Sequence, residues 1–227
     1  MKSDILVILP TRERPIAALQ ALASILDSSQ GRVDVVICLD EDDDKSLRMN
    51  GRNVTTRIAP RKTFTQWINA AAVEFCRQYP IIGWAADDIR YLKPLWDFKV
   101  RATLRAGLGI VYGPDGIQNE NLPTHPFVSS QIVQALGYLI HPKLKHYYND
   151  NYLKELGTHL GCLKYLKDFT IEHRHHSTGR STFDSLNRLN ESKYAEDTET
   201  FKAALPTIAD DAQTVRAFIN ASAAAVG

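Results

Sequence analysis

The stretch Ile81-Ile82-Gly83-Trp84-Ala85-Ala86-Asp87-Asp88-Ile89 constrains this chain most, because an apolar run too short for a helix ends in two adjacent carboxylates. A continuous apolar run of this length belongs in a sheet covered on both faces. The carboxyl ends of such strands open onto the crevice where α/β sheets bind ligands. Neighbouring acids repel each other and lose hydration there, so a divalent cation or a cationic partner stabilises the pair. The run predicts a central strand that ends either in a metal and phosphate site or in a solvated turn.

The same pattern recurs along the chain. Residues 5–9, stopped by Pro10, read as a first buried strand, and residues 33–39, 54–58 and 110–112 as further ones. Helical patterns alternate with them. Pro15 suits a first turn, with Ile16, Leu19, Leu22, Ala23 and Leu26 as the expected buried face. Thr63 caps a second helix whose apolar face is Phe64, Trp67, Ile68, Ala71, Ala72 and Phe75. Pro94 opens a third through Leu95, Phe98, Arg101 and Leu104, closed by Gly107-Leu108-Gly109. This order predicts an α/β, Rossmann-like fold with a mainly parallel sheet flanked by helices.

Residues 113–126 are rich in Gly, Pro, Asn and Asp and read as a long, functional loop. Residues 127–139 are expected to give a short strand and a helix, and Tyr152, Leu153, Leu156 and Leu160 another helix. Residues 169–175 read as a strand with His173 and His175 on one face and Glu172, Arg174 and His176 turned the other way. Helical periodicity returns between residues 194 and 225. The expected organisation is therefore a domain over 1–180 and a helical extension over 181–227, packed on that domain or on a second subunit.

With 27 basic and 26 acidic residues, the formal charge of +1 argues against a surface built mainly to hold nucleic acid, while leaving room for a local basic patch. Cys38, Cys76 and Cys162 are far apart without metal-ligand spacing and read as buried reduced thiols, which fits a cytoplasmic protein. No apolar segment approaches the roughly 20 residues needed to span a bilayer, and polar Lys2, Ser3 and Asp4 are unlike a signal peptide.

Several side chains stand where chemistry is expected. Thr11, Arg12 and Arg14 follow the first strand and can hold a nucleotide or simply be solvated. Asp40 leads five consecutive acids after the second strand and can accept from a base N–H or a ribose hydroxyl. Arg61 and Lys62 precede the second helix, where they can meet a diphosphate, and Asn69 lies deeper on it. Asp150 is either a helix N-cap or a general base at a cleft mouth. His173 and His175 form a metal pair that becomes coherent with Asp88.

The order of Ile8-Leu9-Pro10-Thr11-Arg12-Glu13-Arg14-Pro15, Leu39-Asp40-Glu41-Asp42, Asn69, Asp87-Asp88, Glu172-His173-Arg174-His175 and Asp197-Thr198-Glu199 resembles the GT-A fold glycosyltransferases, in particular compact family 2-like members. The resemblance spans roughly the first 200 residues. It implies a nucleoside-diphosphate sugar donor, a UDP-sugar first among them, and Mn2+ or Mg2+. It places Thr11, Arg14 and Asp40 on the nucleoside, Asp87 on the ribose or sugar, Asp88 and His173 on the cation with His175 beside them, and Asp150 as the base of an inverting transfer. The family signature is Asp-x-Asp, whereas Ala86 stands at its first place here and the acids are adjacent. Which acid takes the metal is therefore left open.

Small soluble members of this type also resemble bacteriophage enzymes, some of which glycosylate hydroxymethylated bases in DNA; such an enzyme would work in the host cytoplasm. Lys143, Lys145, His146, Arg174, His176 and Arg180 are the expected phosphate-binding rim for that acceptor. Two other classes compete. A sugar nucleotidyltransferase needs a glycine-rich loop after its first strand, and residues 10–15 contain no glycine. A non-catalytic nucleotide-binding or partner-binding domain could keep the same fold.

Overall fold

The computed structural model describes residues 3–46, 48–105 and 107–224. Strands β1 (Ile5–Pro10), β2 (Val33–Asp40), β3 (Val54–Ala59) and β4 (Ile81–Trp84) lie side by side, all parallel, in the order β3-β2-β1-β4. Ile5 stands opposite Val33 on one side and Ile81 on the other, so the three central strands start level. The sheet continues from β4 through antiparallel β7 (Phe127–Ser129) to β6 (Ile110–Tyr112) and then to β8 (Leu163–Tyr165), which runs parallel to β6. A separate antiparallel ribbon joins β5 (Ile89–Tyr91) to β9 (Ile171–His173). The mainly parallel sheet is the expected one.

Helices cover both faces, which is why the central strands can be apolar at every position. Leu6, Ile8, Val36, Ile82 and Trp84 pack against α2 (Phe64–Phe75), α4 (Gln131–Leu136) and α5 (Asn149–Leu160). The alternate residues Ile5, Val7, Leu9, Val35 and Ile37 pack against α1 (Pro15–Asp27) and α3 (Trp96–Leu104). Thr63 caps α2 through a reciprocal box with Gln66, as its sequence predicts. Gly83 is required where β7 meets β4, because a Cβ there would lie 2.5 Å from the Phe127 ring.

Two helix faces differ from expectation. In α1 the buried residues are Ala18, Ala21, Leu22 and Ile25, while Ile16 is 71% exposed; the small alanines let the helix sit close on the sheet. In α3, Trp96, Val100 and Leu104 point inward. Leu95 is instead the left-handed residue before the helix, and Phe98 faces solvent. Strand β8 escaped the sequence reading, and β9 is only three residues of the seven expected.

Beyond residue 180 the chain forms α6 (Ser185–Glu191), α7 (Tyr194–Ala204) and α8 (Ile208–Ala224). Ile208, Ala212 and Val215 join the core beside α4 and α5. The hydroxyls of Tyr138 and Tyr152 both donate to Asp211 at 2.7 and 2.8 Å. The described part of the extension therefore packs on its own chain; residues 225–227 of the expected extension lie outside the described residues. Among the described residues no helix is long and apolar enough to cross a membrane.

Candidate active site

The carboxyl ends of β1, β2 and β4 open onto a cavity of about 560 Å³. Parallel strands place it there, since their last residues and the loops after them converge at one edge. Thr11, Arg12, Arg14, Asp40, Arg61, Asp87, Asp88, Asp150, His173 and His175 all border it. Asn69 does not. Its amide oxygen accepts from the backbone N–H of Leu139 and Ile140 and its NH2 donates to the Ile140 carbonyl, so the side chain clamps the following loop.

One group of lining residues consists of carboxylates held by a hydroxyl and by paired guanidinium groups. The buried Thr11 hydroxyl donates to Asp87 Oδ2 at 2.7 Å, and Arg14 reaches Asp87 Oδ1 at 3.2 Å. The same guanidinium forks onto Asp184, with two bonds of 2.7 Å, and bonds Asn187 at the start of α6. Burial pushes the Asp87 carboxyl up to about 6; the Arg14 charge opposes this and neighbouring Asp88 reinforces it. Asp40 Oδ1 accepts from Trp67 Nε1 and the Lys62 amide, and Oδ2 accepts from Arg12 at 3.1 Å. One Oδ2 lone pair is left for a ligand.

Asp88 Oδ1 is buried and has no partner among the described residues. Its Oδ2 lies 3.5 Å from His173 Nε2, while His173 Nδ1 lies 3.6 Å from Asp115 Oδ2, ion-pair separations rather than good hydrogen bonds. Although burial works against it, His173 holds Asp88 well below the usual carboxylate range. Burial likewise opposes a charged His173, but Asp115 and Asp88 raise it to about 9. The His175 ring is 5.3 Å from that of His173, with its Nδ1 at 2.8 Å from Ser177 Oγ. Among the described residues no three His, Cys, Asp or Glu side chains form a cation site. Asp88 supplies a carboxylate and His173 would supply a nitrogen once a bound cation displaced its proton; Mg2+ or Mn2+ held by so few protein ligands would complete its shell with phosphate oxygens and water.

His125 and Asp115 are neighbours of this pair that the sequence reading missed. His125 is 5% exposed, its ring stands edge-on to His173 at 5.1 Å, and neither nitrogen has a partner. Asp115 Oδ1 accepts from the amides of Ile117, Gln118 and Asn119 and so ties down the long loop. The loop's composition was the only signal for either residue. Asp184 and Asn187, which hold Arg14, carried none.

Asp150, which also borders the cavity, is the second residue of α5. The N-cap is Tyr148, left-handed at φ 65°, so the capping alternative for Asp150 is excluded. Its carboxylate takes only the Asn151 amide, and burial pushes its pKa up. The expected basic rim is paired in part, with two arginines sharing a single carboxylate. Lys145 pairs with Glu196, Arg174 and Arg180 both pair with Glu172, and the His146 ring packs against Phe64.

No protein-family model and no curated protein sequence matches this chain. Solved structures do. TarS from S. aureus in complex with UDP superposes with a TM-score of 0.58 at 15% identity, over 75% of this chain and 59% of that one. Mannosyltransferase PcManGT from Pyrobaculum calidifontis, in complex with GDP-Man and Mn2+, gives 0.58 at 12% identity over 100% and 76% of the two chains. Glucosyl-3-phosphoglycerate synthase from Mycobacterium tuberculosis, with Mn2+, UDP and phosphoglyceric acid, gives 0.56 at 14% over 86% and 78%. At such low identity these likenesses show the fold, which is that of the GT-A glycosyltransferases.

Proposed function

We propose that the protein is a metal-dependent, inverting glycosyltransferase that moves a sugar from a nucleoside-diphosphate sugar to a hydroxyl acceptor. The observation that carries this reading is a single cavity bordered by Thr11, Arg14, Asp40 and Asp87, by the Asp88–His173 pair, and by Asp150, a carboxylate bonded only to the Asn151 amide among the described residues. Solved proteins of this fold hold UDP, UDP-GlcNAc or GDP-Man, which supports a nucleotide-sugar donor, with UDP-sugars first to be tested. The three free, buried cysteines are consistent with work in the cytoplasm.

The chemistry follows from these groups. The acceptor oxygen forms a bond to the anomeric carbon while the bond from that carbon to the diphosphate oxygen breaks, and the nucleoside diphosphate leaves with the electron pair. Asp150 takes the acceptor's proton, and its raised pKa makes it a better base than an ordinary carboxylate. Attack from the side opposite the leaving group inverts the anomeric centre. Asp88 and His173 are the residues that would hold Mn2+ or Mg2+, which neutralises charge on the departing diphosphate. Arg174 and Arg180 share one carboxylate and so keep positive charge near Glu172; hydroxymethylated DNA is a test acceptor beside small hydroxyl compounds.

A thermal-shift screen of UDP-, GDP-, TDP- and CMP-sugars, with and without Mn2+, tests the reading on the natural chain and on Asp88→Ala. A ligand that binds only the folded state raises Tm by mass action. A metal-dependent rise with one nucleotide, lost in Asp88→Ala, is the expected outcome. A rise that ignores both the metal and the substitution would leave a nucleotide-binding domain without catalysis.

A further inference from the structure

The turn that launches α5 is held from a distant part of the chain. Asp197 of α7 is 0% exposed, and its carboxylate accepts three consecutive backbone amides, Lys145 at 2.8 Å, His146 at 2.9 Å and Tyr147 at 2.8 Å. A carboxylate in such a nest is well stabilised without any cationic side chain. The next residue, Tyr148, is left-handed, a conformation a bulky residue keeps only when its surroundings fix it. Those surroundings are again α7: the Tyr148 ring stacks on Phe201 at 5.0 Å and 13°, and its hydroxyl meets Thr198 Oγ1 at 3.0 Å. Two residues later comes Asp150. From the other side, Thr65 of α2 binds the Lys145 carbonyl and the Asn149 side chain.

We propose that Asp197 is a positioning residue for Asp150: α7 of the extension grips residues 145–148 and thereby aims the carboxylate at the reacting centre. The inference rests on the reading of Asp150 as the general base. The extension is then part of the active centre rather than an appendage to the sheet. Asp197 touches no ligand in this scheme and acts only through the turn. Its replacement by Asn keeps the shape but sets an NH2 group against amides that need an acceptor, so at least one of the three bonds is lost.

The test uses slow donor hydrolysis, with water in place of the acceptor, measured as nucleoside diphosphate released from the UDP-sugar or whichever donor the thermal screen selects. Single turnovers at high enzyme concentration are run for the natural chain, Asp197→Asn, Asp150→Asn and the double variant. Misplacing a catalytic group by about 1 Å costs on the order of 100-fold, so Asp197→Asn is expected to lose about 10-fold to 100-fold in kcat while donor KM and the donor-induced Tm rise stay unchanged. In the Asp150→Asn background the same change is expected to cost nothing more.

Equal losses in both backgrounds would make Asp197 a general structural residue and overturn the proposal. So would full activity in Asp197→Asn when Asp150→Asn is impaired. If Asp150→Asn itself hydrolyses donor normally, the base assignment has failed instead, and the two failures are told apart. Should Asp197→Asn not fold, Thr198→Val removes the hydroxyl contact to Tyr148 together with the bond that hydroxyl donates to the Tyr194 carbonyl inside α7. A loss of about 5-fold, the worth of one hydrogen bond, is then expected with Asp150 present and none without it; any other pattern overturns the proposal.

Discussion

The two walls of the cavity are built in opposite ways. On the side proposed to take the nucleotide, the hydroxyl and the carboxylates sit at or shortly after the ends of buried parallel strands: Thr11 after β1, Asp40 at the end of β2, Asp87 and Asp88 after β4. Neighbouring strands fix one another there, and only Arg14 is held from far away in the chain, by Asp184 and Asn187. The base side has no strand behind it. Residues 145–147 are held by Asp197, 52 positions from Lys145, Tyr148 by Thr198 and Phe201, and Asn149 by Thr65, 84 positions away. A wall of strand ends is suited to binding, whereas a wall of long-range loop contacts governs the aim of one group. Substitutions on the first should therefore change donor affinity and those on the second should change rate.

The hardest test of that division is Asp88→Ala. It removes a buried charge next to His173 and one of the two donors for the cation. Donor binding should lose its response to Mn2+, and donor hydrolysis should fall by at least about 10³-fold, since a cation at a departing phosphate contributes several kcal/mol. Calorimetric titration of UDP with and without Mn2+ reads the binding half. Metal-dependent affinity that survives the change would move the cation to another acid and break the assignment of this wall.

Asp150→Asn comes next. A positioned base contributes about 10² to 10⁴-fold, and a loss of about 10² to 10³-fold in kcat is expected with donor affinity unchanged. A matching loss of donor affinity would mean that Asp150 belongs to the nucleotide wall after all.

The same contrast explains what the sequence made legible. Strand ends are local: an apolar run followed by Pro10, Asp40 or Asp87 can be read without knowing anything else about the chain, and those residues do border the cavity. The position of Asp150 in α5 could be approximated because its helix is amphipathic, yet its cap could not, since Tyr148 adopts a left-handed conformation that only α7 explains. Asp184 and Asn187 of the extension meet Arg14 across 170 and 173 residues. Nothing in their own neighbourhood announces it. His125 and Asp115 were hidden for the same reason, inside a loop whose composition indicates irregularity but not direction. Helix faces misled where side-chain size stood in for burial, as with Ile16 in α1.

A smaller effect separates the walls by pH. Burial raises the Asp150 carboxyl, so the base form is lost as pH falls through a value above the ordinary carboxylate range of about 4. The kcat profile for donor hydrolysis should therefore drop on its acid side earlier than a solvated carboxylate would require, and Asp150→Asn should abolish that limb while lowering the plateau. A limb that persists unchanged in Asp150→Asn belongs to another group.

The smallest expected effect concerns a residue that borders neither wall. Asn69 makes three hydrogen bonds to the backbone of Leu139 and Ile140, and Asn69→Ala leaves two amides and a carbonyl without partners. Such losses cost about 2 kcal/mol, or roughly 4–8 °C in Tm for a chain of this size. If the clamp is its whole role, the rise in Tm on adding donor and Mn2+ should equal that of the natural chain, because both free and bound protein are destabilised alike. A shrunken rise would return Asn69 to the donor side. The sharpness of the comparison lies in this equality, since a structural residue shifts both curves and a binding residue shifts only one.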